Sequence, residues 1–592
     1  MPNTESSELS HRHNAADIFL TRARSIELRD RARCMVRRDD GTWDSITWGT
    51  LAERVERIAA FLIHRGLQRD RKAAVMSSTR VEWGLAGLGI LAARGVLVPV
   101  YPSLTADSLA HILGHSDARV LFLEHAQQLE TVLQFWDALA LDTLIIIEPL
   151  DTDHSLDQGL DQGLAAAARR AGIAIDRIAG RCFSLQQAEA VGAELLQRRP
   201  ALVQQRLGTI RLDDVGLLVY TSGTTGMPKG VLLTHRNLGI NGDDWIRVNG
   251  PLLKDGDLDI LWLPMSHIFG WGQFCLGNQL GFLTYFSTPS DALEDMVELS
   301  PQVFMSVPAY WEKLAQRAQS VAGDAEAQRA ELRRLTGGRL SFCLSGGAGL
   351  GLEVKEFFRA AGIMIIEGYG LTECAPTLTM NRVDDYNFES VGKPFPRVRI
   401  KLAPDGEILA KGENCFSGYY KDPAATAAMF DAEGWLKTGD LGRFDERGFL
   451  RLIGRKKEIL VTAGGKNIPP QNIELRFRND PLISQVVVYG DGKPYLTALV
   501  DINEQTALEL LRQAQEHPAP AVRDHPRIHR AISARIAAVN ADLASFETIK
   551  AFAIAAAPLT PESGLLTASL KVKRAMVYAA YRDVLEALYT NR

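Results

Sequence analysis

Between Ala73 and Leu123 the chain alternates short apolar runs with helical patterns. Ala73–Met76, Val96–Val100 and Val120–Leu123 read as strands, and Val81–Ala93 and Ala106–Leu113 between them read as helices. This β-α-β-α-β order predicts a parallel sheet covered by helices. The pattern returns at Val303–Val307, Leu340–Leu344 and Ile363–Ile366, with helices from Pro308 and over Gly351–Ala361. A Gly- or Pro-marked turn follows each strand, and open α/β sheets bind ligands at the carboxyl ends of their strands.

The 592 residues are too many for one hydrophobic core. Residues 1–15 read as disordered, and 16–390 as the α/β part. Thr47 is an N-cap candidate for a helix with Leu51, Val55, Ile58 and Leu62 on one face. Residues 151–210, rich in Gln, Ala and Arg, read as helices and loops. Residues 391–454 carry short strands and turns such as Pro404-Asp-Gly, a small β-rich subdomain. From 455 to 592 the strand-like runs Gln485–Tyr489 and Leu496–Val500 precede a helical stripe of Ile528, Ile532, Ile536, Val539 and Leu543. The expected fold class is α/β: a large N-terminal domain of helix-covered, mostly parallel sheets with a β-rich subdomain, then a smaller α+β C-terminal domain.

Tyr220–Val231 places three glycines, four Ser and Thr hydroxyls and Lys229 between the apolar run Val215–Val219 and the helix signal Thr234-His-Arg-Asn. Glycines let backbone N–H groups approach phosphate oxygens, and hydroxyls add donors, so the loop suits a polyphosphate. It is not a Walker A loop, because Pro228 precedes Lys229 and Gly230 follows it. Taken alone, it also reads as a flexible surface loop.

Composition excludes several classes. A net charge of −5, with 46% apolar and 23% charged residues, is not that of a nucleic-acid binder. Cys34, Cys182, Cys275, Cys343, Cys374 and Cys415 have no CxxC spacing, so they read as reduced thiols of a cytoplasmic protein. No apolar stretch is long enough to span a bilayer, which leaves peripheral contact with the inner face of a membrane open. A homodimer is equally compatible with the sequence.

Further strings follow the loop in order: Trp262-Leu-Pro-Met-Ser-His267, Ser345-Gly-Gly-Ala348, Glu367-Gly-Tyr-Gly-Leu-Thr-Glu373, Gly434-Trp-Leu-Lys-Thr-Gly-Asp440, Gly454-Arg-Lys-Lys-Glu458, Gly464-Gly-Lys-Asn-Ile468 and Leu570-Lys-Val-Lys-Arg574. Together with Tyr220–Val231 they resemble the signatures of the acyl-adenylate-forming superfamily, across nearly the whole chain from about residue 16. The C-terminal string, with Val461-Thr-Ala-Gly-Gly-Lys-Asn, Asp480-Pro-Leu-Ile-Ser and Asp491-Gly-Lys-Pro, resembles the bacterial long-chain fatty acid–CoA ligase branch.

The resemblance implies roles. Thr221, Ser222, Gly223, Thr224, Thr225, Gly226 and Lys229 would hold the ATP phosphates. Gly346, Gly347, Ala348, Tyr369 and Gly370 would form the adenine side, with Tyr369 stacking on the base; many members have Pro where this chain has Gly349. Glu373 would be the Mg²⁺ carboxylate and Thr372 a phosphate contact beside it. Asp440 would accept the ribose hydroxyls, and Arg455 would contact ribose or phosphate oxygens. Lys571 would bridge the acyl carboxylate and the α-phosphate, with Lys573 a nearby rival. His267 would sit near the reacting groups, and Trp271 and Gly272 in the acyl pocket; from residue type alone, His267 and Trp271 read equally as core side chains. Lys457 matches a hinge about which a mobile C-terminal domain rotates. Gly464 and Gly465 match a coenzyme A tunnel, where a tight turn is the plainer reading.

The activity implied is ATP-dependent conversion of a long-chain fatty acid to acyl-adenylate and pyrophosphate, then transfer to coenzyme A. Two alternatives stand beside it: a fatty acyl-AMP ligase that loads an acyl carrier protein, and an inactive relative that only binds acyl or nucleotide ligands.

Overall fold

The structure, a computed structural model, describes residues 14–148, 156–221, 227–478, 480–517, 521–560, 562–567 and 571–590. Residues 1–13 of the segment read as disordered and the loop residues Ser222–Gly226 lie outside these. Asn14 and Ala15, read with that segment, instead cap and begin helix Ala15–Ala23, because the Asn14 side chain accepts from Asp17 N–H. The chain divides into two units. The first holds Met1–Gly223, Met227–Ile400 and Ala410–Leu436; the second holds Lys401–Leu409 and Lys437–Arg592.

Two large sheets build the first unit. One runs in the order Gly418–Tyr419, Lys229–Thr234, Val215–Thr221, Val96–Val100, Lys72–Met76, Ala118–Leu123, Thr143–Ile146, Cys182–Ser184. From Val215–Thr221 to Cys182–Ser184 its neighbours are parallel. All five residues of Val96–Val100 are buried, as a parallel strand covered on both faces requires. Cys182–Ser184 is a three-residue edge strand in a region the sequence reads as helices and loops. So short a run carries no periodicity, and only pairing with Thr143–Ile146 makes it a strand.

The second sheet runs Lys393–Pro394, Thr377–Met380, Ile365–Gly370, Phe342–Ser345, Val303–Ser306, Leu258–Leu261, Leu283–Phe286, Ala32–Arg37, Trp43–Thr47. Its middle is parallel and its margins antiparallel. Helix Val81–Ala92 is buried along its whole length. A helix apolar everywhere but at Glu82, which pairs with Arg80, needs cover on nearly every side. Its Gly84 and Gly87 receive the rings of Phe274 and Trp271 from helix Ile268–Leu280; a Cβ on either glycine would lie 3.0 Å or less from those rings.

The second unit carries most of a four-stranded sheet ordered Arg399–Leu402, Glu407–Lys411, Leu436–Phe444, Leu450–Arg455. It also holds the hairpin Leu460–Val461/Asn467–Ile468 and the three-stranded sheet Ile483–Tyr489, Leu496–Ile502, Ile549–Ile554. Ile528, Ile532 and Ile536 of helix Pro526–Ala541 share one buried apolar cluster with Val486, Val488 and Val500. No described helix is long and apolar enough to cross a membrane, and all six cysteines are free.

Candidate active site

Tyr220–Val231, read from sequence as one loop, begins and ends in strands. Strands Val215–Thr221 and Lys229–Thr234 pair with Val219 opposite Val231, Tyr220 opposite Gly230 and Thr221 opposite Lys229. Thr221 ends one strand and Lys229 begins the next, so the connection is shorter than the composition suggests. The hairpin leads directly into helix His235–Asn249, capped by a Thr234/Asn237 capping box.

Lys229 is exposed, with its Nζ 3.8 Å from Asp422 Oδ2 and 5.2 Å from the centre of the Tyr419 ring. The Tyr419 hydroxyl donates to Glu373 Oε1 at 2.7 Å. Lys229 and Glu373, chosen from strings far apart in sequence, therefore meet on opposite ends of one side chain. Tyr419 escaped the sequence reading; its place in Gly418-Tyr419-Tyr420 was the one available signal. Beneath the hairpin, His111 Nε2 lies 3.1 Å from the Pro228 carbonyl and His115 Nδ1 lies 2.8 Å from the Tyr220 hydroxyl.

Glu373 is buried in a short turn, Thr372–Cys374, directly after strand Ile365–Gly370. Phe416 N–H donates to the Glu373 carbonyl at 2.7 Å, and Asn414 Nδ2 to that of Cys374 at 2.9 Å, so the segment carrying Tyr419 also fixes the turn. Thr372 is half-buried beside it. Only glycine fits at 370, where a Cβ would fall 1.8 Å from the Pro376 carbonyl oxygen.

Tyr369 is buried on strand Ile365–Gly370, and Gly346, Gly347 and Ala348 follow strand Phe342–Ser345. The two strands are parallel neighbours, with Leu344 opposite Ile366 and Ser345 opposite Glu367. Their carboxyl ends thus bring the expected adenine-side residues together. Gly347 has φ +84°, a left-handed value that favours glycine.

His267 caps helix Ile268–Leu280, its Nδ1 accepting from Phe269 N–H at 3.2 Å. A neutral imidazole accepting at Nδ1 carries its proton on Nε2. Trp271 is buried in the aromatic cluster, 5.3 Å from Trp83 between ring centres. Gly272, one residue on, has no atom within 4 Å of where a Cβ would stand. The two candidate acyl-pocket residues therefore differ, one packed and one beside open space.

In the second unit, Asp440 and Arg455 face each other on paired strands, with Arg455 Nε 2.9 Å from Asp440 Oδ1. Asp440 is buried, while the Arg455 side chain is 53% exposed. Lys571 is held by reciprocal bonds to Thr567: its N–H donates to Oγ1 at 3.0 Å, and its carbonyl accepts from Thr567 N–H at 2.8 Å. Lys571 keeps exposed surface. Loss of water around its ammonium nevertheless lowers its pKa, with Arg455 adding to the shift and Asp440 opposing it. Arg574, three residues on, makes two 2.7 Å bonds to Glu474, one to each carboxylate oxygen, and anchors this loop. Lys573 N–H bonds the Leu565 carbonyl at 2.8 Å.

Lys457 is exposed in a short turn after strand Leu450–Arg455. Gly464 and Gly465 form the tip of the Leu460–Val461/Asn467–Ile468 hairpin. Gly465 has φ +72° and Gly465 N–H donates to the Thr462 carbonyl at 2.8 Å, so the turn itself calls for glycine. A Cβ there would meet nothing within 4 Å.

Parallel sheets with a hairpin at a strand end, a buried carboxylate after another strand and a second unit with an exposed lysine turn are the frame of a two-unit α/β protein. The chain belongs to the AMP-binding enzyme family: the AMP-binding enzyme model matches residues 23–420, and that of the AMP-binding enzyme C-terminal domain matches residues 457–592. It is 33% identical over 598 residues to the long-chain-fatty-acid–CoA ligase FadD15 of Mycobacterium tuberculosis, covering 93% of each chain. To the long-chain-fatty-acid–CoA ligase 1 of Homo sapiens it is 27% identical over 622 residues, 96% of this chain and 86% of that one. The A domain of a carboxylic acid reductase from Segniliparus rugosus, in complex with AMP and a co-purified carboxylic acid, shares the fold. Its TM-score is 0.79 over 100% of this chain and 96% of that one, at 23% identity.

Proposed function

We propose that this protein is an AMP-forming ligase that joins a long-chain fatty acid to coenzyme A. The observation that carries the reading is the convergence of Lys229 and Glu373 on Tyr419. A cation for phosphate and a carboxylate for a metal are linked through one tyrosine side chain beside the hairpin. The similarity to long-chain ligases supports the choice of acid.

In the first half-reaction a carboxylate oxygen of the fatty acid attacks the α-phosphorus of ATP. The bond to the α–β bridging oxygen breaks, and pyrophosphate leaves. Positioning and fixed positive charge supply most of such catalysis. Lys229, Thr221 and the loop between them take the β- and γ-phosphates; Tyr369 and Gly346–Ala348 take adenine, and Asp440 and Arg455 the ribose. Lys571 joins the acyl carboxylate to the α-phosphate, and His267 Nε2 serves as a donor to the reacting groups.

The donor set suits Mg²⁺. Among the described residues no group of three or more His, Cys, Asp or Glu side chains forms an all-protein metal site. One buried carboxylate suits an ion that completes its shell with phosphates and water. Bound there, Mg²⁺ would neutralise charge on the leaving pyrophosphate. Glu373 would hold it, with Tyr419 orienting the carboxylate.

In the second half-reaction the coenzyme A sulfur attacks the acyl carbon and AMP leaves with its phosphate oxygen. Rotation of the C-terminal domain, residues 455–592, about Lys457 exchanges the Lys571 loop for the Gly464-Gly465 hairpin. Gly272 leaves space for the alkyl chain.

The test is pyrophosphate release over a series of acids of graded length, with and without coenzyme A. Release that peaks with long-chain acids, and turnover that requires coenzyme A, are expected. Adenylation without coenzyme A-dependent turnover would move the assignment to a carrier-protein acceptor. No release with any acid would overturn the enzyme reading.

A further inference from the structure

Strand Ile365–Gly370 carries Glu367 two residues before Tyr369, so both side chains lie on one face of the sheet. Glu367 is 5% exposed and Lys355, on helix Leu352–Ala360, is 4% exposed. The Lys355 ammonium bonds Glu367 Oε2 and also the Phe388 carbonyl oxygen. Glu367 Oε1 accepts the Leu350 N–H at 2.7 Å. Both carboxylate oxygens are therefore engaged, and three segments meet at one buried ion pair. Burial pushes the Glu367 carboxyl above its ordinary range, while Lys355 and the Leu350 amide act in the opposite sense.

Stability alone does not call for such a pair, because packed apolar side chains often serve a core as well or better. What an ion pair with both carboxylate oxygens engaged supplies is direction. A glycine-rich stretch lies beside it. Gly346, Gly347, Ala348 and Gly349 run without a β-branched side chain or proline, and Leu350, whose amide is tethered to Glu367, comes next. Gly346 is held by its N–H bond to the Ser306 carbonyl at 3.1 Å; beyond it Gly347 stands at positive φ and a Cβ at Gly349 would meet nothing within 4 Å, so side-chain packing adds little over Gly347–Gly349.

We propose that Lys355 and Glu367 are positioning residues that clamp the Gly346–Gly349 loop to the strand bearing Tyr369 and so set the affinity for the adenine nucleotide. The inference rests on the nucleotide-side assignment above. Neither side chain touches the nucleotide; the pair fixes the distance between the loop and the aromatic ring.

The experiment uses the full chain. Glu367→Gln and Lys355→Met are assayed by ATP–pyrophosphate exchange with palmitate, and AMP binding is measured by calorimetry. Each variant is expected to raise the KM for ATP and weaken AMP at least about tenfold, since small misplacements of positioning groups are costly. The KM for palmitate should stay within about twofold, a split that general loosening would not produce. The double variant should be no worse than the poorer single one, as coupled residues require. If the single variants do not fold, Lys355→Leu/Glu367→Leu removes both buried charges but still leaves the Leu350 amide without its acceptor. It too should bind AMP more weakly than wild type. Wild-type AMP binding by folded variants, or KM values for ATP and palmitate that rise together, overturns this inference alone. Absence of AMP binding by the wild-type chain removes the nucleotide-side assignment with it.

Discussion

The first unit presents Glu373 and Tyr369 from a buried frame; the second presents Lys571, Lys457 and Gly465 from turns. Glu373 and Tyr369 are both less than a tenth exposed. They sit at the ends of parallel strands whose register is fixed by the surrounding sheet. Lys571, Lys457 and Gly465 stand on short exposed turns. Each unit nevertheless steadies its part with a buried ion pair, Lys355–Glu367 in one and Arg574–Glu474 in the other. The difference fits a division of labour. Groups that must hold a nucleotide through two reactions belong on a rigid sheet. Groups that must act in one reaction and withdraw in the other belong on turns that cost little to move.

The largest effect that separates the two regions is expected at Lys571. Lys571→Ala should slow adenylation about 10²–10³-fold, the usual cost of losing a preorganised charge. Thioester formation from supplied acyl-adenylate should continue, and the melting temperature should not change, because the side chain is exposed. Loss of both half-reactions together would remove its special role. Gly465→Trp should do the converse: adenylation persists while coenzyme A-dependent turnover falls about 10²-fold. Equal loss in both steps would return Gly465 to a plain turn residue.

In the buried frame the expected kinetic effect is smaller but spreads to metal dependence. Tyr419→Phe removes the hydroxyl bonded to Glu373. A hydrogen bond to a charged group contributes about 1.5–3 kcal/mol, so adenylation should fall about tenfold or more, with a higher Mg²⁺ requirement. An unchanged Mg²⁺ titration would show that Tyr419 does not orient the carboxylate.

The smallest effect concerns acid stability of the first unit. His235, fully buried at the start of helix His235–Asn249, has its pKa pushed down to about 4 from 6.5 by burial, with Asp214 opposing. The folded state resists the proton that the unfolded chain accepts, so stability is lost as pH falls from 6.5 towards 4. From pH 7 to 5.5 the loss is about 1 kcal/mol. His235→Gln should flatten that slope in thermal melts; an identical slope would place the acid sensitivity elsewhere.

Much of this architecture was legible in the chain. Strand and helix alternation is a local signal, and the expected runs at Val96–Val100 and Val303–Ser306 became strands with ends shifted by at most one residue. Thr47 caps its helix through a bond from Thr50 N–H to its Oγ1. The hairpin at Lys229 was less legible, because a glycine- and hydroxyl-rich string carries no period. Only cross-strand pairing converts Thr221 and Lys229 into strand ends.

The sequence by itself determined the layered α/β plan and the ordered set of phosphate, carboxylate and lysine strings, since both rest on residue type and spacing along the chain. Tertiary structure alone decided that Tyr419, 46 residues beyond Glu373, bonds its carboxylate. It decided likewise that Lys355 locks Glu367 and that Asp440 faces Arg455. Those contacts depend on which strands are neighbours and in what register, and a sheet sets both through hydrogen bonds between segments whose separation in sequence carries no trace of them.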